Sequence, residues 1–261
     1  IGTLTINTGG TLNLANAISA SGGVTNAGML AMGVNSQTIT GDFFNTGTFS
    51  ETVSNTGWSH LVLTGTASLS GTNFVNVSTV NNLINGATLT GVISAGTLAG
   101  NFNQVTTNSL LYQFTGLEVG NLYDLVISSN AEAIYNAALA NNNLAGLGAA
   151  GVLDNWISLT NPSSGIAAVN NRLGQMTTSQ QLSNAVSQTL PVLSGSTVLN
   201  SLYVIQDISK VVQSRQDSKA GMNTGDQFYG DSNLWMRPFG AWISRNNGNG
   251  AYGFDSSTGG L

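Results

Sequence analysis

Short stretches of alternating apolar and polar residues recur along the first part of the chain, and turn signals separate them. Segments such as TLTI, TLNL, MLAM and HLVL place an apolar residue at every second position, which is the period of a β-strand with one buried face. Asparagine triplets starting at Asn7, Asn26 and Asn45 are 19 residues apart, and a fourth starts at Asn55. The pattern predicts short strands that repeat with a constant spacing.

Equal spacing near 20 residues is typical of a solenoid. One rung of such a repeat cannot bury its apolar face alone, whereas stacked rungs share a continuous core. The leucine framework of a leucine-rich repeat is missing from the sequence. We therefore predict stacked β-helix rungs over residues 1–67, and the alternative is an ordinary β-sandwich with turns every 8–12 residues.

Residues 68–129 contain longer alternating stretches with bulkier apolar side chains. The open end of a stack of rungs exposes unpaired strand edges and core, so it needs a cap. We predict that this segment forms the cap. Its predicted apolar residues include Phe102, Phe114, Leu122, Tyr123 and Leu125.

From residue 130 the sequence is rich in Ala and Leu and predicts helices up to residue 217. Asn130 is the predicted cap of the first helix. Further helices are predicted over 164–173, 178–189 and 194–216. The longest helix carries an apolar stripe that we expect to pack on neighbouring helices: Val198, Leu202, Ile205, Ile208 and Val212.

The composition narrows the range of partners. Only 7% of the 261 residues are charged, against roughly 25% in an average globular protein. No Lys or Arg precedes Arg172, so most of the chain has no cation to neutralise phosphate, and we do not expect nucleic-acid binding. The sequence contains no cysteine.

Residues that could carry catalysis are few and scattered. His60 is the only histidine, and its neighbour Ser59 should point to the opposite face of the same strand. Asp42 and Glu51 are the only acids within the rungs, and their spacing puts them on different sides of a rung. We therefore predict no catalytic residue, no cofactor and no metal site, and we do not expect an enzyme.

The C-terminal segment begins with the run LWMRPFGAW. Residues 234–244 have the length of one tilted membrane strand, residues 246–250 predict a hairpin turn, and a return strand begins at residue 251. Because two strands alone are marginally stable, we expect this pair not to form in isolation. The polar residues 218–232 are a predicted linker.

The order of these parts resembles the C-terminal half of a bacterial autotransporter (type V secretion). In that family the first strand of the translocator barrel reads Trp, apolar, Arg, small or Pro, Phe, Gly, small, Trp. Residues 82–129, with GNF at 100–102 and LYDLV at 122–126, are similar to the pertactin-like autochaperone. Residues 181–215 resemble the helical connector. The barrel-start motif falls on Trp235, Arg237, Phe239, Gly240 and Trp242.

The resemblance implies a mainly β protein with a right-handed parallel β-helix, a β capping region, an α-helical connector and the start of an outer-membrane β-barrel. The expected parts are β-helix rungs over 1–67, the cap or autochaperone over 68–129, the connector over 130–217, the linker over 218–232 and the first strands of a truncated barrel over 233–261. We expect the passenger to be extracellular, at the bacterial cell surface.

The function implied by the resemblance is to support the folding, secretion and surface display of the β-helix passenger through the protein's own barrel. The outer membrane and the barrel assembly machinery are the implied partners. The uncharged surface leaves an alternative, an adhesin or self-associating surface protein that binds a host or surface ligand. Some autotransporters resemble proteins that cleave themselves at a connector asparagine, and the candidate positions here are Asn142 and Asn171.

Overall fold

The computed structural model describes residues 1–78, 82–190, 195–220, 239–246 and 254–260. The chain forms two compact units, Ile1–Val186 and Ser187–Leu261. The described residues are mainly β-strand, with most strands in parallel sheets and with five α-helices.

Seventeen strands form the first part of the described chain. They are β1 (Leu4–Ile6), β2 (Thr11–Leu14), β3 (Ile18–Ser19), β4 (Val24–Asn26), β5 (Met29–Met32), β6 (Ser36–Thr40), β7 (Phe43–Asn45), β8 (Thr48–Ser54), β9 (Gly57–Trp58), β10 (His60–Leu63), β11 (Thr66–Leu69), β12 (Thr72–Val77), β13 (Thr88–Ser94), β14 (Thr97–Ala99), β15 (Gln104–Thr107), β16 (Tyr112–Val119) and β17 (Leu122–Ser129).

Consecutive strands enter three sheets in rotation. The first sheet has the order β1-β4-β7-β11-β14, the second β2-β5-β8-β12-β15, and the third β3-β6-β10-β13-β17-β16. All neighbours in the first and second sheets are parallel, as are those of the third sheet from β3 to β13. Alternate residues of every sheet enter one hydrophobic core, as the period of two predicted.

The strand register refines the predicted asparagine repeat. Asn26 pairs with Asn45, 19 residues further along the chain, but its partner on β1 is Ile6 and not Asn7. The fourth copy, at Asn55, lies in the tight turn of the antiparallel β8–β9 pair. Only two of the four triplets therefore occupy equivalent positions in the sheets.

An antiparallel hairpin lies at the C-terminal edge of the third sheet. Strand β17 pairs with β13 on one side and with β16 on the other, antiparallel in both cases. A bulge interrupts the β13–β17 register between Leu89 and Ile93. The parallel strands of this sheet thus end against a locally folded hairpin.

The helices are α1 (Ala133–Ala140), α2 (Leu147–Ile157), α3 (Ser164–Gly174), α4 (Ser179–Thr189) and α5 (Gly195–Ala220), with a 3-10 turn at Leu144–Gly146. Helix α5 ends inside the segment predicted as a linker. The remainder of that segment lies outside the described residues. None of the helices in the described part of the chain is long and apolar enough to cross a membrane.

The N-terminal cap of α1 differs from the predicted one. The side chain of Asn130 donates to the carbonyl oxygen of Leu110 (3.0 Å), and does not cap the helix. The carboxylate of Asp154, on α2, accepts the backbone N–H groups of Ile134 and Tyr135, both at 2.9 Å. A partner distant in sequence therefore satisfies the first turn of α1, which local capping signals cannot reveal.

Helix α5 presents most of its predicted stripe to solvent. Leu202, Ile205, Ile208 and Val212 are exposed, so the prediction that this face packs on neighbouring helices is wrong for them. The positions with lower exposure, Val204, Asp207 and Val211, define a different face. A helical spacing of apolar residues predicted the helix but not which of its sides is covered.

Two strands, β18 (Phe239–Arg245) and β19 (Phe254–Gly260), form an antiparallel pair in the C-terminal unit. The prediction that these segments do not pair is wrong. The register runs continuously from Phe239 opposite Gly260 to Arg245 opposite Phe254, and α5 contacts both strands. Packing against a helix supplies the support that an isolated hairpin lacks.

Candidate functional site at the capped end of the sheets

A column of aromatic rings connects the parallel strands to the predicted cap. The ring of Phe49 meets Phe43 edge-on, with centroids 6.3 Å apart, and stacks on Phe102 at 6.0 Å. Phe102 in turn meets Tyr123 edge-on at 5.1 Å. Aromatic pairs at such separations stabilise beyond the area that they bury, so this column joins β7 and β8 to β17.

The other predicted cap residues differ in burial. Leu125 is fully buried at the centre of β17, where it lies opposite Leu89 on β13 and Gly116 on β16. Phe114 is also buried, whereas Leu122, at the start of β17, is half-buried. Four of the five residues thus belong to the core beneath the hairpin, and Leu122 lies at its margin.

Asparagine side chains stack inside the first sheet. Asn26 and Asn45 are both fully buried, and Nδ2 of Asn26 donates to Oδ1 of Asn45 at 2.7 Å. The same nitrogen donates to the carbonyl oxygen of Thr48 (2.8 Å), and Nδ2 of Asn45 donates to that of Ser70 (2.6 Å). These bonds tie neighbouring strands together and satisfy backbone groups at the corner that follows them.

Glycines stack at the same corner. Gly28, Gly47 and Gly71 follow one another on successive strands, and a Cβ atom on any of them would overlap backbone of the preceding turn. For Gly47 the obstruction is the carbonyl oxygen of Gly28. That oxygen already accepts the N–H of Thr48 at 2.8 Å. The corner therefore admits only hydrogen at these positions.

A buried polar cluster lies among the core residues of β8, β12 and β17. Glu51 is fully buried, and neither carboxyl oxygen has a hydrogen-bond partner. Asn73 is also fully buried; its Nδ2 donates to the hydroxyl oxygen of Tyr123 at 3.4 Å, while its Oδ1 has no partner. Burial raises the pKa of Glu51 from 4.5 to about 8, against a smaller lowering by the Asn73 side chain.

Side chains from three strands fix the bulge of β13. Gly91, with φ of 65°, donates its N–H to Oδ1 of the buried Asp124 (2.7 Å), and its carbonyl oxygen lies 2.9 Å from Nδ1 of His60. Nε1 of Trp58 donates to the carbonyl oxygen of Thr90 at 3.1 Å. His60 thus contacts the backbone of the capped sheet. Its neighbour Ser59 is buried and donates to the carbonyl oxygen of Gly33 at 2.7 Å.

The two candidate cleavage asparagines lie in different settings. Asn142 is exposed in the turn after α1, with a left-handed φ of 56°. Asn171 lies within α3, and its Nδ2 donates to Oδ1 of Asn82 at 2.9 Å. Their side-chain amides are therefore held differently, and self-cleavage at either position stays a prediction.

The predicted barrel-start residues are described only in part. Trp235 and Arg237 lie outside the described residues. Phe239 begins β18, Gly240 lies opposite Gly259, and Trp242 lies opposite Ser257 with 83% of its side chain exposed. A large exposed indole on a short hairpin requires a covering surface or a non-aqueous surrounding to be favourable.

Compared with known proteins, the sequence matches no family model and no curated protein. In the described part of the chain, no group of three His, Asp or Glu side chains is arranged to hold a metal ion. The arguments about function therefore come from the chain itself. The signal for Glu51 was present in the sequence, because Phe49, Glu51 and Val53 alternate on one face of β8.

Proposed function

We propose that this chain is the C-terminal part of an autotransporter, which supports the folding, secretion and surface display of its own β-helix passenger. The rotation of consecutive strands through three parallel sheets supports the β-helix. A right-handed β-helix over the rungs, closed by a cap and followed by a helical connector, is the architecture in this proposal. Its partners would be the outer membrane and the machinery that assembles barrels there.

The observation that carries the proposal is the hairpin β16–β17 at the C-terminal edge of the parallel strands. Two residues, Gly120 and Asn121, connect its strands, so the hairpin closes a short loop. Parallel partners such as Val24 and Phe43 are 19 residues apart and must close longer loops. Local pairing forms faster than pairing between distant segments, so the hairpin is suited to fold first.

A preformed hairpin gives each preceding strand an edge on which to pair. Strand β17 offers its free edge to β13, and β13 then offers its own to β10 and the strands before it. Each added rung buries more core, and the free energy of that burial opposes reversal. Because only 7% of the residues are charged, the unfolded passenger loses little ion hydration on crossing a narrow pore.

Surface location tests the proposal in cells that make the complete protein. Intact cells are treated with a protease and probed with antibodies against residues 1–67. We expect these residues to be bound by antibody and removed by protease without permeabilisation, while a periplasmic marker stays intact. Detection only after permeabilisation would exclude surface display.

A further inference from the structure

The buried cluster of Glu51, Asn73 and Tyr123 contains more acceptors than donors. Both oxygens of Glu51 and Oδ1 of Asn73 lack partners, and the one N–H bond of the Asn73 amide goes to Tyr123. Buried polar atoms without partners are rare and costly. A carboxylate would only add negative charge to this set, whereas one proton on Glu51 would supply the missing donor.

We propose that Glu51 is a proton-operated lock between the parallel strands and the cap. In the locked state the neutral carboxyl donates its O–H to Oδ1 of Asn73, and Nδ2 of Asn73 donates to the hydroxyl oxygen of Tyr123. The chain of bonds then runs from β8 through β12 to β17. When the proton leaves, the carboxylate competes for the Asn73 N–H, because charged acceptors form the stronger bond, and Tyr123 loses its donor.

The surroundings of Glu51 favour the neutral form. Among the strands near it, β12 presents Asn73 and β17 presents Tyr123, whereas β5, β9 and β15 contain no titratable residue. The chain has no Lys or Arg before Arg172. The negative charges of Glu51 and of Glu118, on β16, both raise the pKa of Tyr123. A carboxylate in this core would therefore be desolvated without a cation to compensate it.

The proton linkage has a defined sign and pH window. The pKa of Glu51 is raised from 4.5 to about 8 by burial. Below pH 4.5 both folded and unfolded chains hold the proton, and the stabilisation is complete. Between pH 4.5 and 8 only the folded chain holds it, so the unfolding constant rises about tenfold per pH unit. Above pH 8 the folded chain also releases the proton and the dependence ends.

The variant Glu51→Gln tests the linkage in the full chain. Gln is neutral at every pH, and its N–H can replace the proton toward Asn73. Denaturant unfolding from pH 5 to 8.5 should give a ratio of wild-type to variant unfolding constants that rises about tenfold per pH unit up to pH 8. Glu118→Gln, which removes an exposed carboxylate from β16, should keep the wild-type dependence. A constant ratio between wild type and Glu51→Gln would overturn the proposal.

The variant Tyr123→Phe separates a lock from an isolated buried acid. It removes the hydroxyl and keeps the ring beside Phe102. At pH 5 it should raise the unfolding constant roughly fivefold, the usual effect of one hydrogen bond, and by pH 8.5 this cost should disappear. In the Glu51→Gln background the cost should be equal at both pH values. An equal cost at both pH values in the wild-type background would show that Glu51 does not act on the cap.

Discussion

Replacing Leu125 with Asp should unfold the cap and abolish surface display. Leu125 is fully buried between Leu89 and Gly116 in the middle of the third sheet. Loss of the aliphatic side chain costs about 2–5 kcal/mol, and an unpaired buried carboxylate costs several kcal/mol more. The sum approaches the whole stability of a typical domain, about 5–15 kcal/mol.

The control for this variant is Val119→Asp on the other strand of the same hairpin. Val119 is half exposed at the end of β16, so its carboxylate remains hydrated. Circular dichroism of the full chain and antibody labelling of cells that make the complete protein give the two readouts. We expect both signals to be lost for Leu125→Asp and retained for Val119→Asp. Normal display of Leu125→Asp would mean that the cap is not needed for secretion.

A methyl group added at Gly47 should destabilise the corner between β7 and β8. Its Cβ would overlap the carbonyl oxygen of Gly28 and the backbone of Ala27, neither of which is a flexible side-chain end. Overpacking typically costs about 1–3 kcal/mol and more where nothing can move. We expect Gly47→Ala to lose at least about 3 kcal/mol, because relief of the overlap also disturbs the Asn26–Asn45 bond.

Gly33→Ala is the matched control. No atom lies within 4 Å of a Cβ at Gly33, and its φ is not left-handed. There the substitution should be neutral or stabilise slightly, by up to about 1 kcal/mol, since alanine restricts the unfolded chain. Urea unfolding of both variants gives the comparison. Equal stabilities for Gly47→Ala and Gly33→Ala would contradict the close stacking of the corner.

The sequence predicted the strands and their spacing well, because a period of two and an interval of 19 residues are local features. Asn26 and Asn45 were identified as a repeat before their hydrogen bond was known. The same pattern included Asn7 and Asn55, which occupy other positions. A one-residue shift in register leaves the spacing of a motif almost unchanged, so spacing alone does not identify equivalent strand positions.

Long-range partners were outside the reach of the sequence. The cap of α1 comes from Asp154, about twenty residues beyond the helix start. The burial of Glu51 follows from the alternation on β8, but its pairing with Asn73 depends on how β12 and β17 are stacked. Helix α5 was predicted from its apolar stripe, yet the side chains of Leu202 and Ile205 are exposed, because periodicity does not specify which face finds a neighbour.

The order of folding tests the central claim most directly, namely that the C-terminal hairpin templates the strands before it. The full chain is refolded from denaturant, and pulse-labelled hydrogen exchange follows protection of each strand. Amides of β16 and β17 should be protected first, then those of β13 and β10, and those of β1 to β3 last. Protection of β1 to β3 before the hairpin would contradict the account.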